Sequence, residues 1–425
     1  MKRKFFPTRY LFVVFTFSLA LLLYIDRVCI SYSKIEIAKD LNLSDKQMGW
    51  IMSLFAIGYA LGQLPAGGLI DKFGPRKVLS GIVGIWSIFI AATGAVWNFG
   101  SLAVMQFLFG NGEAGAFPGI ARGVYSWIPA KERGTVNGIN FSGSRIGAAL
   151  AMLMLSVVIS RLGWRLTFVF FGVLGMLWAT IWFWWFRDTP EEHAGVSDSE
   201  KENIRSSRLT NSKSEESSIS LKQIFSSGNV WLAMWQYMCS NFIFYFCLMW
   251  MLPMLRTKYN LTIQAAGILA MLPFLAGAAG NWVSGFLIDL LYKKTNLTIS
   301  RRLPAILGFS LVVLGLLMSM NQDSPQILVL WFSVAIFGAD MTLSPSWSFC
   351  IDIGKRHSGL VSSAMNMAGN LMSAISVLAF PYLIAWTGSD KSFFYIATIM
   401  NFLAIIAWLF MKPEKPLVGL NNNIK

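Results

Sequence analysis

Charged residues are scarce in this sequence: they make up 13% of its 425 residues, about half the share of an ordinary soluble domain. Apolar residues make up 55%. Because a membrane span needs about 20 predominantly apolar residues, the chain has enough for about eleven or twelve spans. This composition excludes a disordered chain, a collagen-like chain and a small disulfide scaffold. The sequence therefore predicts an all-α protein of the lipid bilayer.

Cysteine and histidine are also rare, with four and two residues. The cysteines lie inside apolar runs without metal-ligand spacing, which indicates buried thiols and no metal site. His193 and His357 fall in polar segments. Any proton carrier within a span should therefore be a carboxylate.

The common catalytic and nucleotide-binding motifs are missing. The sequence contains no G-x-x-x-x-G-K-[ST] phosphate loop, no G-x-S-x-G elbow and no H-E-x-x-H pair. A nucleotide-driven pump and the common hydrolases are therefore disfavoured. We expect no enzymatic activity and no cofactor.

Twelve apolar runs divide the chain, separated by polar or Gly- and Pro-containing turns. They lie at about 10–32, 48–70, 78–97, 101–122, 136–160, 165–186, 229–255, 263–291, 303–320, 326–350, 358–386 and 392–411. The segment 187–228 is the one long polar stretch and is typical of a linker. We predict two six-helix bundles, residues 1–186 and 229–425, joined by a cytoplasmic linker at 187–228.

The net charge of +14 is distributed unevenly over the predicted loops. With the N-terminus inside, 25 Lys and Arg residues lie in inner loops and 8 in outer loops. Because positive loops face the cytoplasm, both termini should be cytoplasmic and the basic excess needs no nucleic-acid partner. The short outer loop at about 33–47 favours a bacterial inner membrane. We expect a monomer.

A glycine-acid-basic motif occurs after both the second and the eighth span. The first copy runs from Gly67 through Asp71 to Arg76 and Lys77, and the second from Gly285 to Asp289 with basic residues beyond it. This repeat resembles the signature loop of the major facilitator superfamily. The resemblance implies an ionic latch at the cytoplasmic helix ends, formed by Asp71, Arg76, Arg122 and Asp289.

Five ionisable residues lie within predicted spans: Asp26, Arg27, Glu113, Arg145 and Asp340. A lone charge at a helix centre costs about 2.5–3.5 kcal/mol on insertion scales, so such residues indicate either function or a buried ion pair. Asp26 and Arg27 lie about 100° apart around one helix and must face different surroundings. Tyr24 and Arg27 share a face, which offers an anion a guanidinium and a hydroxyl.

Polar side chains also recur at helical spacing in several spans. The pairs are Phe55 with Tyr59, Asn241 with Tyr245, Asn366 with Asn370, and the neighbours Ser346 and Trp347. Each pair alone is compatible with contacts between helices. Their occurrence in both halves favours a central polar cavity for a small hydroxylated solute.

Three further stretches resemble the anion:cation symporter branch of that superfamily, which includes transporters of galactonate, glucarate and hexuronates and sialin-like proteins. They are Tyr24–Arg27, residues 110–134 with the sequence GNGEAGAFP at their start, and residues 187–200, which begin RDTPEEH. The resemblance implies proton-coupled uptake of a small organic anion, a sugar acid, by alternating access.

The resemblance also implies roles for single residues. Arg27 would hold the substrate carboxylate, and Asp26 and Glu113 would carry protons. The hydroxyl groups of the substrate would meet Tyr24, Tyr59, Ser346, Trp347 and Asn366 or Asn370. Tyr245 belongs to the same set of polar candidates.

One position departs from the branch, because many relatives carry an arginine where this chain has Gln106. We hypothesise that Arg145, beside Ser144 in the fifth span, replaces it as the partner of Glu113 or as a second contact for the anion. The role of Asp340 stays open at this point, as does the choice among sugar acids. An exchanger or uniporter for phosphate, organophosphate or another organic anion, without proton coupling, is the alternative.

Overall fold

The computed structural model describes residues 7–208 and 219–417. Residues 1–6, ten residues of the predicted linker (209–218) and residues 418–425 lie outside this description. Every long element in the described ranges is a helix. The α-helices are α1 (Thr8–Tyr32), α2 (Lys34–Asp40), α3 (Asp45–Thr93), α4 (Phe99–Glu113), α5 (Ala116–Trp127), α6 (Arg133–Trp185), α7 (Asp198–Arg208), α8 (Leu221–Phe225), α9 (Gly228–Met249), α10 (Met251–Tyr259), α11 (Ile263–Lys294), α12 (Leu297–Ser319), α13 (Pro325–Met341), α14 (Leu343–Gly354), α15 (Ser358–Thr387) and α16 (Lys391–Phe410).

Eight helical stretches of the described chain are long and apolar enough to cross a membrane. They contain ten of the twelve predicted spans, because Trp50–Thr93 holds two and Pro325–Thr387 holds two more. The predicted fourth span is divided between α4 and α5, and the predicted fifth forms the first part of α6. Both lie in helices, as expected, although neither qualifies as a separate long apolar stretch.

Two glycines bend the long helices at predicted loops. Gly74 in α3 has φ +81° and Gly163 in α6 has φ +72°. Glycine adopts this left-handed region without the steric cost that a Cβ would impose. At Gly74 a Cβ would also overlap the carboxyl group of Asp188. These two positions therefore separate the second span from the third and the fifth from the sixth.

The fourth and tenth spans are also interrupted, in these cases by proline residues. Pro118 and Pro345 lack the N–H that would bond to the carbonyl four residues earlier, at Ala114 and Met341. The helix axis breaks at these carbonyls, between α4 and α5 and between α13 and α14. In the tenth span the hydroxyl of Ser284 donates to the Met341 carbonyl at 2.5 Å, which replaces the missing bond.

The described chain folds into two compact units. Unit 1 comprises Met1–Ala130, Ile146–Glu215 and Arg356–Ser363, and unit 2 comprises Lys131–Arg145, Glu216–Lys355 and Ala364–Lys425, in each case within the described ranges. Each unit thus includes one short segment from the other half of the sequence. The division into bundles 1–186 and 229–425 with a linker at 187–228 remains a prediction.

Each unit has its own aromatic core. In unit 1 the rings of Trp182 and Phe186 stack at 4.1 Å between centroids, and Phe12 packs against both. In unit 2 the ring of Phe246 lies 4.9–5.7 Å from those of its neighbours, Phe332, Phe380, Phe393 and Phe394. Such ring pairs contribute stability beyond the burial of their apolar area, so these clusters stabilise the packing of the helices within each unit.

Two carboxylates of the segment after the sixth span accept hydrogen bonds from the N-terminal ends of helical segments in unit 1. Glu200 accepts the backbone N–H groups of Thr8 and Arg9, both at 3.1 Å, at the start of α1. Asp188 accepts the N–H of Arg76 at 2.8 Å, just after the break at Gly74. Burial raises the pKa of Asp188, and this N–H bond partly offsets that effect. Carboxylates at these places accept hydrogen bonds from N–H groups that lack a partner within the helix, and they interact favourably with the positive end of the helix dipole.

Replacing Glu200 with alanine should destabilise the protein, because two backbone N–H groups and the Arg9 side chain lose their acceptor. Hydrogen bonds to a charged group contribute about 1.5–3 kcal/mol, so the apparent Tm of the purified protein should fall by about 2–6 °C. The control is Glu202→Ala, which removes an exposed carboxylate from the same helix. Equal melting temperatures for the two variants would contradict the capping role.

Candidate functional site

An ion pair in unit 1 joins the first and fourth spans. Arg27 Nε donates to Glu113 Oε1 at 2.5 Å, and the side chains are 15% and 0% exposed. The second carboxyl oxygen of Glu113 is buried and has no hydrogen-bond partner within the described ranges. Two residues that lie 86 positions apart in the sequence are thus paired, and Oε2 of Glu113 is left without a hydrogen bond in the described chain.

Three aromatic rings surround the guanidinium of Arg27. Its Cζ lies 5.1 Å from the ring centroid of Tyr24, 5.4 Å from Phe55 and 4.6 Å from Tyr59. The helical spacing of Tyr24 and Arg27 had indicated a shared face, and the structure places them together. Ring faces attract a cation while leaving its edge N–H groups available for an oxygen acceptor, so the group suits recognition of a carboxylate.

Asp26 precedes Arg27 in the first span and points about 100° away from it around the helix. It is 1% exposed, and neither of its carboxyl oxygens makes a hydrogen bond in the described structure. Glu113 and the indole of Trp86 are near it, and Trp86 Nε1 also lacks a partner in those ranges. Sequence reasoning missed Trp86, because an indole in an apolar span carries no distinguishing pattern.

Gln106 occupies the position where relatives carry an arginine. It is 1% exposed, and neither atom of its amide group finds a partner among the described residues. Glu113 takes its cation from Arg27 in this structure. In the structure the partner of Glu113 is therefore Arg27, and the hypothesis that Arg145 takes this place is wrong.

Arg145 is paired with Asp340 in unit 2. Its Nε donates to Oδ2 at 2.7 Å and its Nη2 to Oδ1 at 2.5 Å, which is a bidentate arrangement. The side chains are 6% and 2% exposed. The guanidinium also lies on the ring of Phe244, with Cζ 3.8 Å from the centroid. Asp340, whose role the sequence left open, is thus the counterion of Arg145.

The polar residues of the tenth span are held by internal hydrogen bonds. The Ser346 hydroxyl has two acceptors within reach of its single proton, Gln236 Oε1 at 2.9 Å and the Thr342 carbonyl at 2.6 Å. Trp347 Nε1 donates to the hydroxyl of Tyr237 at 3.3 Å. Both Ser346 and Trp347 are buried, so a solute would reach them only after a change of conformation.

The remaining polar candidates of unit 2 lie on the fifth, seventh and eleventh spans. The hydroxyl of Tyr245 lies 3.4 Å from Asn370 Oδ1, and the amide of Asn370 donates to Asn366 Oδ1 at 3.1 Å. Tyr245 and Asn370 are partly exposed. Ser144 is buried, and its hydroxyl has no partner within the described ranges.

The repeated motif binds backbone N–H groups in both units. Asp71 accepts from Gly359 at 3.1 Å and Leu360 at 2.8 Å, at the start of α15. Asp289 accepts from Gly134 and Thr135 at 2.9 and 2.8 Å, at the start of α6. The two acids of the predicted latch therefore cap corresponding helix N-termini, which the helix dipole favours.

The arginines of the predicted latch have different surroundings. Arg122 Nε lies 4.0 Å from Asp71 Oδ1, at the limit of an ion pair. The side chain of Arg76 instead donates to the Phe183 carbonyl at 3.0 Å and lies over the Phe183 ring. Sequence reasoning also missed Asp352, which pairs with Arg301 at 2.8 Å and with Arg133 at 3.4 Å in unit 2.

Comparison with protein-family models and with curated proteins shows that the chain is similar to known transporters. The model of the Major Facilitator Superfamily matches residues 16–377. A probable galactarate/D-glucarate transporter of Escherichia coli K12 is 30% identical, with 96% of each chain covered. A probable sulfoacetate transporter of Cupriavidus necator is 29% identical over 92% of this chain and 90% of the relative. The hexuronate transporter of Bacillus subtilis is 25% identical over 96% and 95%.

Solved structures agree with the expected fold. The proton:xylose symporter XylE superimposes with a TM-score of 0.78 at 15% identity, covering 97% of this chain and 99% of XylE. The Escherichia coli fucose:proton symporter FucP gives 0.72 at 12%, over 95% and 99%. At these identities the comparison establishes the fold, which is the predicted all-α membrane fold.

These matches confirm the resemblance found in the sequence, and the protein is a multi-pass membrane transporter rather than an enzyme. The chain belongs to the major facilitator superfamily, within its anion:cation symporter family.

Proposed function

We propose that the protein imports a small organic anion of the sugar-acid class together with protons, by alternating access, across the bacterial inner membrane. The observation that carries this proposal is the buried pair of Arg27 and Glu113, with the unpartnered carboxyl group of Asp26 beside it within the described chain. Ionisable groups at membrane depth mark substrate and proton pathways. The printed names of the relatives, which include transporters of galactarate, glucarate and hexuronate, support the substrate class.

Arg27 is the proposed site of the substrate carboxylate. A guanidinium edge matches a carboxylate with two parallel N–H donors, and the rings of Tyr24 and Tyr59 flank this edge. Their hydroxyl groups are suited to the hydroxyls of a sugar acid. In the structure Glu113 occupies the acceptor position on Arg27, so the carboxylate of Glu113 and that of the substrate compete for one cation.

This competition provides the coupling. An anion that displaced an ionised Glu113 would leave a charge buried without a partner, which is strongly unfavourable. A proton on Glu113 removes that penalty and releases Arg27 to the substrate. Asp26 is the proposed carrier of a second proton, because an ionised Asp26 would also be a buried charge without a hydrogen-bond partner in the described chain. The doubly protonated, anion-loaded carrier is then close to neutral at this site and changes conformation more easily than a half-loaded one.

Further contacts are proposed from unit 2. Its polar residues have hydroxyl, amide, indole and guanidinium groups that would bind the hydroxyls of the solute during the transport cycle. They are Ser144, Arg145, Tyr245, Ser346, Trp347, Asn366 and Asn370. Support comes from their helical spacing in otherwise apolar spans and from the preference of transporters for binding near broken helices.

The proposed placement in the membrane has both termini in the cytoplasm and a monomeric carrier. The excess of basic residues in alternate loops supports this orientation. The motif carboxylates Asp71 and Asp289 then lie at the cytoplasmic side. Their bonds to the N-termini of α15 and α6 would open and close as the conformation changes.

Glu113→Gln should uncouple transport from protons. Glutamine cannot take up a proton, so accumulation of galactarate in proteoliposomes with an imposed pH gradient should fall by about tenfold or more, while exchange between equal concentrations persists. The control is Glu36→Gln, which changes an exposed residue on α2. If a proton ionophore left wild-type uptake unchanged, an uncoupled exchanger or uniporter would be the correct function. Normal accumulation of galactarate by Glu113→Gln would exclude Glu113 as the coupling residue.

Removing Arg27 should abolish recognition of the anion. The double variant Arg27→Gln, Glu113→Gln removes both charges and so leaves neither one buried alone. A thermal-shift screen of galactarate, glucarate, galactonate and hexuronates should raise the Tm of the wild type by ligand binding and leave that of the double variant unchanged. A ligand-induced shift of equal size in both proteins would exclude Arg27 as the carboxylate site.

A further inference from the structure

A short segment after the sixth span is bonded to the start of the first span. We call this segment, residues 193–200, the strap. Thr8 is the first residue of α1, and its hydroxyl donates to the Gly195 carbonyl at 2.6 Å. Glu200 accepts the backbone N–H groups of Thr8 and Arg9, both at 3.1 Å. The strap and the start of α1 belong to unit 1, so they form one packed corner of that unit.

His193, the first residue of the strap, fixes the shape of this segment through one ring nitrogen. Its Nδ1 accepts the backbone N–H of Gly195 at 3.0 Å. An imidazole nitrogen accepts a hydrogen bond only while it carries no proton, so this bond requires the neutral ring with its proton on Nε2. The carbonyl of the same Gly195 accepts the hydroxyl of Thr8. The protonation state of His193 is thus connected to the start of α1 through a single residue.

The ring of His193 is half-buried against two indoles. Its centroid lies 5.5 Å from that of Trp127, at the end of α5, and 5.2 Å from that of Trp185, at the end of α6, both in edge-on contacts. These contacts remove much of the imidazole from water, which disfavours its charged form. Burial is therefore the main reason why the pKa of His193 lies below its usual value of 6.5.

Four further groups act on His193 with smaller effects. Arg187, which precedes the strap, and Lys201, which follows it on α7, lower the pKa of His193 further because they repel the imidazolium. The Trp185 carbonyl and the Glu200 carboxylate raise this pKa and offset part of the shift. A proton on His193 would thus place a third positive charge near Arg187 and Lys201 and remove the acceptor at Nδ1.

We propose that His193 senses the cytoplasmic pH, and that a proton on its ring releases the strap from the start of α1 and slows transport. This inference rests on the proposed function and on the proposed orientation of the chain. Protons that accompany an imported anion reach the cytoplasm, so the strap would limit import when that compartment becomes acidic.

Release of the strap would reach the candidate site through α1. Arg27 lies on the same helix as Thr8, so a loosened start of this helix lets the span that carries the proposed carboxylate site shift. A cavity of about 520 Å³ lies between the strap and the start of α1. It gives solvent protons access to this corner and gives the released segment room to move.

Proton linkage gives the direction of the response. The strapped form binds a proton on His193 less readily than the released form, in which the ring regains its usual pKa of 6.5. The strapped form therefore has its full stability above about pH 6.5 and loses stability as the pH falls below that value. Acid opens the strap, and a rise in pH above neutrality leaves it closed.

The test compares the wild type with His193→Asn. An asparagine side chain accepts the N–H two residues further on, as in an Asx turn, so this variant keeps an acceptor for Gly195 but cannot titrate. The control is His357→Asn, which removes the other histidine of the chain. Hydrogen–deuterium exchange of the purified full-length protein, corrected for the intrinsic effect of pH, measures the protection of the N–H groups of Thr8, Arg9 and Gly195.

Between about pH 7.5 and about pH 5.5, we expect this protection to fall about threefold to tenfold in the wild type and in His357→Asn. His193→Asn should keep its protection over the same range. The second measurement is exchange of labelled galactarate between equal concentrations, with the same pH on both sides of the proteoliposome membrane. Acid should slow this exchange more in the wild type than in His193→Asn.

Equal acid sensitivity of the strap in His193→Asn and in the wild type would overturn the inference. So would a strap that opens in acid only in the wild type while galactarate exchange slows equally in both proteins. Either result leaves the proposed function intact. If the wild type moved no sugar acid at any pH, the proposed function would fail, and the regulatory role of His193 with it.

Discussion

An ionised side chain in hydrocarbon needs an opposite charge beside it, and the candidate site is organised by that requirement. Breaking a buried ion pair from one side leaves an uncompensated charge, which costs about 3–5 kcal/mol. Arg27 with Glu113 and Arg145 with Asp340 satisfy the requirement in unit 1 and unit 2. Such a pair separates only when a proton or another anion replaces the lost partner. In the proposed mechanism, this same restriction couples movement of the anion to movement of protons.

Much of the fold follows from composition and spacing. Apolar runs of about 20 residues fix the spans, and Gly74 and Gly163 divide the long helices where polar residues had indicated loops. The shared face of Tyr24 and Arg27 could be predicted, because neighbours three residues apart in a helix always meet. The breaks in the fourth and tenth spans were not foreseen, since proline inside a membrane helix is often tolerated.

Contacts between distant segments could not be predicted from the sequence. Asp340 meets Arg145 across 195 positions, and nothing in either local pattern specifies that partner. The motif acids Asp71 and Asp289 suggested an ionic latch, and Asp71 does lie 4.0 Å from Arg122. Both acids also accept hydrogen bonds from backbone N–H groups, which every residue except proline has and no pattern reveals. Helix packing decides these pairings, and it depends on many small contacts that a single sequence does not display.

The central claim is that inward movement of the anion carries protons with it. The most direct measurement is the pH inside proteoliposomes, followed with a trapped dye while glucarate or another transported sugar acid is added outside without an imposed gradient. Our account predicts that the interior acidifies in step with uptake of the labelled anion, and that this acidification disappears in Glu113→Gln. Uptake of the anion at constant internal pH would contradict it.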